Sequence, residues 1–182
     1  MNPKRAHTFK LFCCAALALT TGCSTIPDLY APPMDRKPMS VAGRSPIGRF
    51  VNMNDPNADA YLVRDIGKHL ESGTWRWTKQ NPEMRFFLDS TNGWKFKMDF
   101  AIAASTFPQT GPVTLSYFVN DQPFDKVTYN QPGSVRFEKA VPPAMIVARS
   151  FNTVSIRQDK MWVSNVDGAQ LGFILTRAGF IR

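Results

Sequence analysis

The heptapeptide "WKFKMDF", residues 94–100, sets Trp94, Phe96, Met98 and Phe100 at every second position, with Lys95, Lys97 and Asp99 between them. Successive side chains of an extended chain point to opposite faces. The stretch therefore reads as a strand with one face on a core and the other in water. The same period returns in "WRWT" at Trp75 and Trp77, in "VTLSY" at Val113, Leu115 and Tyr117, in "VRFE" at Val135 and Phe137, and in "VSIR" at Val154 and Ile156. "EMRFFLD" and "LGFILTRAGF" are more apolar and read as more completely buried strands. Between these runs stand turn residues: Asn92-Gly93, Asn120-Asp121, Pro132-Gly133, Pro142-Pro143 and Asp167-Gly168. About eight short strands at this spacing predict an all-β fold, a single antiparallel β-sandwich over residues 48–182. Fourteen Phe and four Trp supply large side chains for its core. Only residues 55–70 stay ambiguous, because Ala58, Tyr61, Leu62 and Ile66 fit a helix while "AYLVRDI" fits a strand.

The N-terminal part has another character. "MNPKRAHTFK" holds Lys4, Arg5 and Lys10 and no acid, and residues 11–19 are all apolar. Such a run is too short for a membrane-spanning helix, which needs about 20 residues, and fits a secretory signal. Thr20, Thr21 and Gly22 then lead to Cys23. This "LTTGC" exit resembles the bacterial lipobox, with Gly22 in the small position before the cut, Thr20 where leucine is usual and Leu19 one place early. The resemblance implies that residues 1–22 are a lipoprotein signal peptide, cut between Gly22 and Cys23, and that the Cys23 thiol is acylated. Ser24, where an aspartate would favour inner-membrane retention, implies the outer membrane of a Gram-negative envelope. Residues 23–47 carry Pro27, Pro32, Pro33, Pro38 and Pro46, a composition that reads as an extended tether, or else as an arm lying on the domain. Cys13 and Cys14 fall in the leader, so nothing after Cys23 can form a disulfide framework or a Cys-based metal site.

Charge narrows the partners. Loss of the leader with its three cations would lower the net charge from +8 to +5. The remaining Lys and Arg are scattered singly, as at Arg64, Lys68, Arg76 and Lys126, so no nucleic-acid partner is expected. A mildly basic surface suits anionic headgroups or anionic glycans.

Little in the sequence points to catalysis. His69 is the one histidine after the leader, and no G-x-S-x-G elbow occurs. Glu71, Asp99, Asp121, Asp159 and Asp167 are dispersed carboxylates with no defined pairing. No phosphate loop, zinc spacing or calcium loop is present. The expectation is a non-enzyme without cofactor or metal.

The order "ESGTWRWT", "VTLSYFVNDQP", "GSVRFEKAVPP", "NTVSIRQ" and "DGAQLGFILTRAGF" is similar to galactose-binding-like jelly-roll domains, of the kind found as carbohydrate-binding modules. Val119-Asn120-Asp121 stands where such domains often carry a Val-Asn-Gly hairpin. The resemblance spans about residues 55–182 and implies a jelly roll with a binding role. Four residues are the candidates for that role: Trp75, Arg76, Trp77 and Trp162. On a strand Trp75 and Trp77 share a face and Arg76 takes the other. Facing outward, the pair is a stacking platform for sugar rings. Facing inward, the ordinary place for large aromatics in a period-2 run, it is core and leaves Arg76 to pair with Glu71. Two roles follow: a membrane-anchored module binding glycan or another envelope ligand, or a structural subunit of an envelope protein complex.

Overall fold

The computed structural model describes residues 47–182. The expected leader, the Gly22–Cys23 cleavage site and the proline-rich segment up to Pro46 lie outside the described residues. The strands are β1 (Phe50–Asn52), β2 (Leu62–Ile66), β3 (Arg76–Leu88), β4 (Lys95–Ile102), β5 (Val113–Val119), β6 (Gln122–Tyr129), β7 (Gly133–Ala140), β8 (Ser150–Gln158), β9 (Trp162–Val163), β10 (Gln170–Leu171) and β11 (Ile174–Ile181). The ambiguous residues 55–70 resolve into a 3-10 turn, Ala58–Ala60, followed by β2.

One antiparallel sheet runs in the order β6-β5-β8-β3-β11-β4-β7, with β2 added on β3 and β1 on β11. It curls over itself into an all-β sandwich of the jelly-roll kind. The long strand β3 is the joint. Its first residues pair with β11, Arg76 opposite Leu175 and Trp77 opposite Ile174. Its last six pair with β8, from Glu83 opposite Ser155 to Leu88 opposite Ser150. Pro82 sits between these two pairings, where a residue with no N–H to donate breaks no ladder.

The core lies between the layers. Phe96, Met98 and Phe100 of β4 and Phe180 of β11 face Met84, Phe86 and Leu88 of β3 and Leu115 and Tyr117 of β5. Phe86 packs edge-on against Phe180 with ring centroids 5.6 Å apart, and Tyr117 stacks on Phe137 at 4.0 Å. The alternation of "WKFKMDF" is realised residue by residue, the four apolar members buried. "EMRFFLD" alternates more than its composition implied: Met84, Phe86 and Leu88 are buried, whereas Arg85 and Phe87 are exposed. In "LGFILTRAGF" a register shift between Leu175 and Arg177 turns Leu175, Ala178 and Phe180 inward and leaves Arg177 on the outer surface.

Asn120 and Asp121 form the two-residue loop of the β5–β6 hairpin at φ 47° and 63°, the pair of left-handed residues that a type I′ turn requires. The Asn120 amide also donates to Asn152 Oδ1 at 2.8 Å, and its carbonyl accepts the Thr153 N–H at 2.8 Å. That fixes the hairpin to β8.

Candidate functional site

The site grows from a tight reversal ahead of β3. Ser72 and Gly73 take positive φ, 48° and 68°, and Glu71 bridges to Trp75 with its N–H on the Trp75 carbonyl at 2.8 Å. This delivers Trp75 and Trp77 to the outward side of β3, both half-buried, with their rings perpendicular and centroids 5.5 Å apart. Arg76 points inward and is 6% exposed. The inward expectation for the tryptophans is thus reversed in phase.

The reason lies in what the inner side meets at this end of β3. Positions 76 and 78 face loop backbone, which presents polar groups that an indole could not satisfy. Arg76 donates through Nε to the Met53 carbonyl at 3.2 Å and through Nη1 to the Asp59 carboxylate at 2.5 Å. The Thr78 hydroxyl donates to the Phe173 carbonyl and accepts the Phe173 N–H, each at 2.9 Å. Arg76 therefore pairs with Asp59, while Glu71 lies 4.0 Å from His69, whose side chain is 82% exposed.

Two grooves flank this segment. One, of about 430 Å³, is lined by Trp77 together with His69, Glu71, Lys79, Asp167 and Gln170. The other, of about 650 Å³, takes Thr74 from the same segment and Asn52, Asn54, Ser134, Arg136 and Arg177 from its surroundings. Asp99 anchors the larger groove. In the sheet it lies between Arg136 of β7 and Arg177 of β11, and it accepts from Arg136 Nε at 3.1 Å and from Arg177 Nε at 2.5 Å. Burial alone would raise the Asp99 pKa. The two guanidinium groups outweigh it and hold the carboxyl below its ordinary value.

Trp162 is half-buried on β9, opposite Leu171 of β10, and lines neither groove. Trp94 is core, its indole N–H held by the Ser90 carbonyl at 2.8 Å. The structure thus joins Trp75 and Trp77, turns Arg76 away beneath them and leaves Trp162 apart. Sequence reading missed Asp59, Arg136 and Arg177. Arg136 stands between Val135 and Phe137 and Arg177 between Thr176 and Ala178, but what brings both to Asp99 is strand register, which no local pattern encodes. Among the described residues no group of three His, Cys, Asp or Glu side chains is placed to hold a metal ion.

No family model matches the chain. No curated protein matches it either. Among solved structures it is similar to a Xyl-CBM35 module in complex with a glucuronic acid containing disaccharide, at 12% identity and a TM-score of 0.43, covering 74% of this chain and 94% of that one. It is similar as well to the CBM35 from Paenibacillus barcinonensis, at 15% identity and a TM-score of 0.38, covering 74% of this chain and 99% of that one. A third similar structure is BtGH115A, a family GH115 4-O-methyl-alpha-glucuronidase with specificity for decorated arabinogalactans, at 9% identity and a TM-score of 0.41. That match covers 75% of this chain but only 18% of the enzyme's length.

Proposed function

We propose that this protein is a lipid-anchored envelope protein whose sandwich is a non-catalytic module that binds glycans on the face carrying Trp75 and Trp77. The observation that supports it is the outward, perpendicular tryptophan pair, of which Trp77 lines one groove together with His69, Glu71, Lys79 and Gln170. A sugar ring has an apolar C–H face and a rim of hydroxyls. An indole face complements the first, and the carboxylate, amide, ammonium and imidazole groups of Glu71, Gln170, Lys79 and His69 complement the second. Arg76, buried and bonded to three loop segments, holds the platform from beneath and does not reach a ligand.

Affinity electrophoresis through gels containing envelope or plant polysaccharides tests this reading. The wild-type chain is expected to be retarded, and Trp75→Ala and Trp77→Ala to lose about tenfold or more in affinity, as aromatic anchors do. Both rings are partly in water, so both variants are expected to melt close to wild type. Unchanged retardation in a folded double variant would overturn the reading.

The anchor is tested separately. Cys23→Ala is expected to abolish incorporation of labelled palmitate and to leave the precursor uncleaved. Undiminished labelling of that variant would refute acylation at Cys23.

A further inference from the structure

The chain joins the sandwich at a corner of unusual composition. The Phe87 N–H donates to the Gly48 carbonyl at 3.0 Å, so the first described residues run beside Phe87. Phe87 and Phe151 lie directly opposite one another on β3 and β8. They are 37% and 45% exposed, with ring centroids 5.7 Å apart. Val147 nearby is 55% exposed. The Arg85 guanidinium stands over the Phe151 ring at 5.7 Å, and Arg49 over Trp94 at 5.8 Å. Arg49, Phe87, Asp89 and Trp94 line one shallow recess. Arg149 is exposed beside Ser150, which pairs with Leu88 at the same end of β3. Arg182 is already committed to Asp89 at 3.1 Å, so the excess positive charge rests on Arg49, Arg85 and Arg149.

Isolated exposed apolar side chains are ordinary, but here two aromatic rings are flanked by unneutralised guanidinium groups. Rings of this kind bury at the boundary between headgroups and acyl chains, and guanidinium forks take phosphate oxygens bidentately. We propose that this corner docks on an anionic bilayer surface, with Phe87 and Phe151 seated at the headgroup level and Arg49, Arg85 and Arg149 on lipid phosphates. The location fits that partner. The 23 residues between Cys23 and Ile47 can span no more than about 80 Å even when fully extended, which keeps the corner at high local concentration over the membrane. That step rests on acylation at Cys23, whereas the affinity of the corner itself does not.

The test uses the chain from residue 23 onward with Cys23→Ser, which removes any lipid, floated with phosphatidylcholine vesicles with and without phosphatidylglycerol. Binding is expected only to the anionic vesicles and is expected to fall with salt. Each arginine near such a surface strengthens binding about fivefold, so Arg49→Gln/Arg85→Gln/Arg149→Gln is expected to weaken it about a hundredfold. The corresponding triple Lys substitution should retain most of it, and Phe151→Ser should weaken it with an unchanged melting temperature. A matched Lys68→Gln/Lys126→Gln/Lys160→Gln chain, altered elsewhere, should bind like wild type. Equal flotation with both vesicle types, no flotation with the anionic vesicles, or equal loss in the two Gln triples would each overturn the proposal. None of these outcomes bears on palmitate labelling at Cys23, so a failed docking surface and a failed anchor are told apart.

Discussion

Gly179→Ala is expected to cost about 4 kcal/mol or more and to detach β1 from the sandwich. Gly179 sits at φ 149° in β11, directly opposite Phe50 of β1. A Cβ there would run into the Arg49 carbonyl oxygen and the Phe50 Cα. Both are backbone atoms, so no side-chain rotation relieves the collision. The neighbouring Phe180 N–H donates to that same Arg49 carbonyl at 2.6 Å, and the Phe180 ring packs on Phe86 and Phe96 in the core. Displacing β1 therefore disturbs the core directly. For a domain of this size the cost corresponds to a melting temperature lower by roughly 12 °C. Gly93→Ala is the control: Gly93 shares a positive φ of 77°, but a Cβ there meets nothing within 4 Å. Backbone strain alone should cost it about 1 kcal/mol. Urea unfolding of the two variants checks the contrast, and equal losses would contradict the close approach of β1 and β11.

The second large effect concerns Arg76. Its side chain is 7% exposed, whereas that of its partner Asp59 is 64% exposed. Truncation is therefore asymmetric. Arg76→Met would strand the Met53 carbonyl without its guanidinium donor and release the loops around residues 53, 59 and 67 from one another. We expect a loss of about 3 kcal/mol. Asp59→Ala would leave the Arg76 guanidinium without its counter-charge but open a path for water to Nη1, so its cost should be about 2 kcal/mol, below that of Arg76→Met. On the glycan-binding function proposed above, Arg76 positions Trp75 and Trp77 from the inner side of the chain. Arg76→Met should also weaken the exciton signature of the perpendicular indole pair in circular dichroism and reduce glycan affinity along with it. A variant that loses stability but keeps that signature would show that Arg76 has only a structural role. Asp59→Ala costing more than Arg76→Met would contradict the burial argument.

The parts of this fold that local chemistry decides were legible in the sequence. Alternation alone placed Trp94, Phe96, Met98 and Phe100 in the core. Asn120-Asp121 announced its hairpin because few residues tolerate two successive left-handed conformations. The parts that register and curvature decide were not legible. "EMRFFLD" looked more completely buried than the alternating strands because Phe87 is apolar, yet period 2 carries it to the outer face beside Phe151. "WRWT" showed that Trp75 and Trp77 share a face but not which one. That depended on β3 passing from one layer to the other, so that its inner side at Arg76 and Thr78 meets polar loop backbone in place of apolar side chains. The triplet of Asp99 with Arg136 and Arg177 draws on three strands whose order in the sheet no window of sequence contains.

The central claim is that ligand meets Trp75 and Trp77. The chain has four tryptophans, and their indole N–H signals in a proton–nitrogen correlation spectrum report on four separate places. Trp94 is buried, Trp162 lies on the β9–β10 hairpin, and Trp75 and Trp77 pack edge-to-face on one outward side, with Trp77 in a groove. During titration with a retained polysaccharide the Trp75 and Trp77 signals are expected to move together in a saturable way while those of Trp94 and Trp162 stay still. A titration that moves Trp162 alone, or none of the four despite binding, would contradict the claim.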